Sequence, residues 1–253
     1  MKRTYLFLFI IFVFIIMWGA KFGKKARYVV ATSPNNPPME MVDTDKNISG
    51  FDIDVISRIA EHQKITIKFV PVLKENIYHG LIDESYDIAI SSLTLRAAAG
   101  SAESMNIIFS EPYLEIGEVV VISEDFERYT GPESLRGLWI GISQDSPSGQ
   151  LFTEDFGINT KEYINIENAF EDMASGKIHA LSINLPHASR MVNLNDEYRG
   201  IFKIIPEPIT SEKYVIAVKK GNTKLLSMIN SGLEALKNDG TLESLIDTWF
   251  FTE

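Results

Sequence analysis

The chain contains no cysteine at all. That excludes disulfides, thiolate metal sites, a cysteine nucleophile and attachment through a lipidated N-terminal cysteine. Histidine is scarce: His62, His79, His179 and His187 are the only four, and none stands at metal-ligand spacing. G-x-S-x-G, H-E-x-x-H, the P-loop and G-x-G-x-x-G are all missing, so no catalytic or nucleotide-binding constellation is written in the sequence. Basic residues are also short, 24 against 34 acidic, for a net charge of −10. Such a body repels phosphate backbones, and nucleic acid is not an expected partner.

The 253 residues are 45% hydrophobic and 23% charged, the composition of an ordinary folded protein of one large domain or two lobes. The N-terminus stands apart. Lys2 and Arg3 precede an uninterrupted apolar run from Tyr5 to Trp18. A basic start and such a run have the form of a secretory signal. As a helix the run would span about 21 Å, short of the roughly 30 Å hydrocarbon core of a bilayer. Cleavage after Ala20 would put Trp18 where a small residue is wanted, so residues 1–26 read either as a signal peptide or as an uncleaved membrane anchor. The cluster Lys21, Lys24, Lys25 and Arg27 argues against strong anchoring, because it would lie on the far side of the membrane.

The rest alternates short apolar runs with amphipathic stretches, the pattern of an α/β fold. Strands are expected at 28–32, 65–72, 86–92, 119–122, 138–142, 163–164, 180–183 and 214–218. Helices are expected from about Gly50 to His62, with Asp52 as N-cap, and over 75–83, 167–175 and 223–238, with Gly240 as the C′ residue of the last. A short helix carrying Trp249 is expected over 242–251. The prolines at 34, 37 and 38 stiffen a loop that would hold Met39 and Glu40 facing a cleft. The stretch from Ile88 to Tyr113 opens as a buried strand and turns polar at Ser91, Ser92 and Thr94, with Arg96 just beyond. Polar groups at the C-terminal end of a parallel strand are where open α/β sheets bind ligands. A faint echo between 85–93 and 177–185 places Ser92 and Asn184 at matching strand ends of two similar lobes.

Several short motifs in fixed order carry a more specific likeness: Gly50-Phe51-Asp52-Ile53-Asp54, Tyr86-Asp87-Ile88-Ala89, Phe109-Ser110-Glu111-Pro112-Tyr113, Leu135-Arg136-Gly137, Ser175-Gly176-Lys177 and Lys237-Asn238-Asp239-Gly240-Thr241. From about Arg27 to Phe251 the chain resembles the extracellular solute-binding proteins of amino-acid ABC transporters. The resemblance implies an α/β, two-lobed periplasmic-binding-protein-like fold of type II, with two chain crossovers forming a hinge. One lobe would comprise 27–113 plus 210–253 and the other 118–208. It implies an exported, monomeric carrier that closes on a small polar or amino-acid-like ligand and delivers it to a transporter permease, with no enzyme activity, metal or cofactor.

The ligand contacts implied by the resemblance are Ser33, Asn36, Met39, Ser91, Ser92, Thr94 and Arg96 in the first lobe, and Ser146 and Asn184 in the second. Departures stand beside them. None of Ser33, Asn36 and Met39 is aromatic, so no ring stacks on the ligand. Arg96 sits three residues before the family's arginine position, which is Ala99 here. Asp145 adds a negative charge beside Ser146, and Asn184 replaces the aspartate that holds an ammonium. The expected ligand is therefore an atypical amino acid or another small polar molecule, and Arg96→Ala and Asn184→Ala are each expected to weaken binding tenfold or more. A sensory or partner-interaction module, and a dehydratase-like enzyme, are the alternatives on the same fold.

Overall fold

A computed structural model describes residues 27–102, 105–144 and 146–251; the signal or anchor segment read from residues 1–26 lies outside it. β1 (Arg27–Thr32) is built from the β-branched run of the first expected strand and buries its last three residues. Three short strands follow, β2 (Asn35–Asn36), β3 (Glu40–Val42) and β4 (Ile48–Ser49), in a sheet of their own. α1 (Phe51–His62) turns its apolar stripe of Ile53, Ile56, Ile59 and Ala60 inward. Its cap is Gly50 and not Asp52, which lies inside the first turn, fully buried.

Gly50 has a φ of 130°, and a Cβ added there would sit 2.4 Å from the Met39 carbonyl oxygen. Both the backbone angle and the close approach demand glycine. Gly50→Ala is expected to cost at least about 1–3 kcal/mol, the usual price of such strain, measured as a loss in the urea midpoint at unchanged slope.

β5 (Thr66–Pro71) runs parallel to β1 on one side. After α2 (His79–Ile82), β6 (Ile88–Ala89) runs parallel to it on the other. α3 (Leu95–Ala102) and β7 (Ile107–Phe109) complete this part of the chain. β8 (Leu114–Glu115) then crosses to a second unit: β9 (Glu118–Ser123), β10 (Trp139–Ser143), α4 (Pro147–Gln150), β11 (Asn159–Tyr163), α5 (Ile166–Ala174), β12 (Ala180–Asn184), α6 (Leu185–Asn193) and β13 (Phe202–Ile205). β14 (Lys213–Tyr214) returns beside β8, antiparallel to it. β15 (Ala217–Lys219) slots between β6 and β7 of the first sheet, and α7 (Thr223–Asn238) and α8 (Thr241–Ile246) finish the fold with a wide turn, Asp247–Phe251. Gly240 takes the left-handed conformation that ends α7, as its position predicts.

The sheet orders, β5-β1-β6-β15-β7 and β11-β10-β12-β9-β13, are equivalent. β6 and β12 each lie third, between a parallel neighbour and an antiparallel one. The faint sequence echo thus corresponds to a real equivalence: Ser92 and Asn184 stand at the C-terminal end of the same strand of two like sheets. The expected helix over 75–83 is broken into a 3-10 turn, Lys74–Asn76, and α2.

Candidate functional site

At the polar end of the first sheet, Ser91 and Ser92 follow β6, and Ser92 has a φ of 48°. That conformation is uncommon for a residue with a side chain and clusters at sites where the surroundings enforce it. Ser92 is held on three sides. Its N–H donates to Asp52 Oδ2 at 2.7 Å, its hydroxyl donates to Glu40 at 2.8 Å, and Asn36 Nδ2 donates to its Oγ at 2.8 Å. Ser91 Oγ donates to Glu40 Oε1 at 3.0 Å and accepts from the Ser33 N–H at 3.0 Å. Four of the expected residues, Ser33, Asn36, Ser91 and Ser92, therefore form one connected cluster.

The centre of that cluster is a pair of carboxyls, Glu40 and Asp52, both without solvent exposure. Burial, reinforced by the neighbouring Asp52, pushes Glu40 up to about 10. Burial also raises Asp52, against which the Ser92 N–H and the Tyr113 hydroxyl, at 2.7 Å, favour the ionised form. Burial pushes Lys74 down, although both carboxyls pull it up, and its ammonium donates to the Ser91 carbonyl. Two like charges cannot both be buried at close range without cost, so the pair holds a proton at neutral pH.

Two expectations need correction here. Met39 does not face a cleft; it is fully buried in the apolar core, because the turn that brings Glu40 under the serines carries Met39 beneath α1. Arg96 is not a free clamp. Its exposed guanidinium is paired with Glu212, on the returning crossover. Thr94 bridges to Tyr214 on that crossover, and its Oγ1 accepts from the Ala97 N–H at 3.3 Å.

In the second sheet, Ser146 caps α4 and donates its hydroxyl to both oxygens of Glu118, 2.8 Å from each. The Ser148 N–H donates to Glu118 Oε2 at 2.9 Å, and the Ser148 and Ser182 hydroxyls meet at 2.9 Å. Glu118 opens β9 directly opposite Asn184, the last residue of β12. Asn184 caps α6 by accepting the His187 N–H at 3.0 Å. Burial, then Arg190, lowers the affinity of the His187 ring for a proton. Asp145 lies outside the described residues.

Sequence reasoning assigned no ligand role to Glu40, and it missed Lys74, Glu118 and Glu212 as groups that organise these ends. An acid directly before the apolar run Val119–Ile122 is the visible signal for Glu118. Among the described residues no group of acids and histidines could hold a metal ion, and no helix is long and apolar enough to cross a membrane.

Comparison with known proteins agrees with this geometry. A family model described as bacterial extracellular solute-binding proteins, family 3, matches residues 28–252. The chain is 26% identical over 240 residues to ABC transporter arginine-binding protein 1 of Escherichia coli (strain K12), covering 92% of this chain and 93% of that one. It is 25% identical over 233 residues to the probable histidine-binding protein of Neisseria gonorrhoeae, covering 89% and 84%. Among solved structures, substrate binding domain 2 of Lactococcus lactis GlnP in its open conformation superposes with a TM-score of 0.75 at 22% identity, covering 91% and 97%. These relatives are binding proteins and not enzymes, and their fold is the two-lobed type II arrangement.

Proposed function

Because the chain belongs to the bacterial extracellular solute-binding proteins, family 3, we propose that it captures a small amino-acid-like solute between its two sheets and passes it to an ABC transporter permease. The observation that carries this reading is the pairing of polar strand ends, Ser91-Ser92 after β6 and Asn184 at the end of β12, in two equivalent sheets joined by the β8–β14 crossover. Open α/β sheets bind ligands at such strand ends. The lobes would be 27–113 with 210–253, and 118–208, turning about the crossover. A solute touching both lobes favours the closed arrangement, since only differential affinity biases one state over another. Asn36, Ser92 and Thr94 would contribute from one side, with buried Ser33 and Ser91 holding them in place, and Ser146 and Asn184 from the other. Residues 1–26 would direct export, leaving a monomer free or tethered outside the cytoplasm.

Thermal-shift screening against amino acids, amines and small acids tests the reading. A true solute is expected to stabilise the protein by about 2.7 kcal/mol at a hundredfold excess over its Kd. Asn184→Ala is expected to weaken that solute tenfold or more, about 1.4 kcal/mol. A flat response to the whole panel would overturn the capture function.

A further inference from the structure

The polar ends of both sheets are built from hydrogen-bond donors, the groups that an anion requires, and the chain has spent them on its own carboxylates. The Ser91 and Ser92 hydroxyls go to Glu40, and the Ser92 N–H goes to Asp52. The Ser146 hydroxyl and the Ser148 N–H go to Glu118. Among the described residues, the turn around Ser146 offers no replacement. Pro147 has no N–H, the Ser146 N–H donates to the Ser143 carbonyl at 3.1 Å, and the Gly149 N–H donates to the Ser146 carbonyl at 3.1 Å. Arg96 is committed to Glu212. The Asn184 side-chain oxygen, the acceptor that could face an ammonium, is neutral and already takes the His187 N–H.

What these strand ends retain is acceptor capacity. An ionised carboxylate has about four lone-pair sites. Glu118 and Glu212 lie on adjoining crossover segments, since the Glu118 N–H donates to Thr210 Oγ1 at 2.9 Å. Glu118 is nearly buried, and the Glu212 side chain is 11% exposed. Lys74 is turned to the Ser91 carbonyl and Arg96 to Glu212, so neither cation is directed at Glu118. A second carboxylate placed beside Glu118 or Glu212 would be repelled, whereas an ammonium or guanidinium would be attracted and hydrogen-bonded.

We infer that the solute is a small organic cation without a free carboxylate, an amine or guanidine rather than an α-amino acid, and that Glu118 sets this preference by occupying the second sheet's anion seat. The inference rests on the capture reading above. It predicts the role of each charged group: Glu118 and Glu212 face the cation, and Arg96 competes with it for Glu212.

Titration calorimetry of the purified full chain with matched pairs decides the matter: arginine against agmatine, ornithine against putrescine, lysine against cadaverine. In at least one pair the decarboxylated member is expected to bind tenfold or more tightly than its parent. Glu118→Gln, which keeps the shape and removes the charge, is expected to narrow that ratio, and Arg96→Ala, which frees Glu212, is expected to raise amine affinity. Should either variant fail to fold, the wild-type ratios stand alone as the test. An amino acid binding more tightly than its amine would overturn the inference while leaving solute capture intact. An unchanged ratio in folded Glu118→Gln would remove Glu118 as its determinant. No binding by any member would also overturn the inference, while the capture reading falls only if the wider thermal-shift panel is flat as well.

Discussion

Phe250→Ala is expected to destabilise the protein by about 3–5 kcal/mol, the range for emptying a fully buried aromatic site. Phe250 has no solvent exposure, and its ring lies 5.0 Å from that of Phe51 at the start of α1. The backbone around it is tied to the other lobe. Asn193 Nδ2 donates to the Phe250 carbonyl at 2.8 Å, and Ser189 Oγ donates to the Trp249 carbonyl at 3.1 Å, both from α6. Trp249 Nε1 donates to Asp54 Oδ2 at 2.9 Å, back on α1. The last turn thus joins the two halves, and its ring fills the junction. Urea unfolding followed by tryptophan fluorescence reads the loss. Phe250→Leu, which preserves apolar contact, should recover much of it. A loss under about 1 kcal/mol for the alanine variant would show that the site collapses around the cavity, contrary to the packing described.

Stability is expected to fall as pH rises from about 5 to 9, an unusual direction for an acidic protein. Glu40 is held near 10 in the folded protein and returns to the ordinary range near 4.5 on unfolding. A raised acid keeps its proton in the folded state, so its contribution is fully present below the unfolded value and is lost progressively towards the folded one. The slope can reach about 1.4 kcal/mol per pH unit for one proton. The groups around it are Asp52, Lys74 and Tyr113, with Ser91 and Ser92 as donors. His187 works in the opposite sense, but only as pH falls through the ordinary imidazole range, because burial and Arg190 favour its neutral form. Asp172, Glu167 and Asp239 are held low and act only in more acidic solution. Glu40→Gln keeps the acceptor for the serines and supplies a donor to Asp52, so it should flatten the profile between pH 6 and 9. Lys74, held low by burial, works in the opposite sense towards the ordinary lysine range, so the test is the difference between wild type and Glu40→Gln: identical profiles would mean that Glu40 titrates as an ordinary carboxyl.

The sequence conveyed the frame better than the site, for a physical reason. Apolar periodicity reports which face of an element is buried, and it marked α1 by Ile53, Ile56 and Ile59 and the first strand by its β-branched run. The shared pattern after β6 and β12 matched an equivalence of sheet position. Periodicity does not report partners. Asp52 meets the Ser92 N–H across 40 residues, and Glu118 meets the Ser148 N–H across 30. Asp52 near a helix start reads as a cap until the fold shows it buried against Ser92 and Tyr113. Arg96 reads as a clamp until Glu212 arrives from the returning crossover. Met39 and Glu40 read as facing a cleft, and both are fully buried, because a proline-stiffened loop specifies its backbone and not how deep its neighbours lie.

Closure of two lobes on a solute is the central claim, and small-angle X-ray scattering of the purified chain tests it most directly. With saturating agmatine or arginine, whichever calorimetry shows to bind, the radius of gyration is expected to shrink relative to the free protein and to return when the solute is dialysed away. Saturable binding with an unchanged radius of gyration would contradict it.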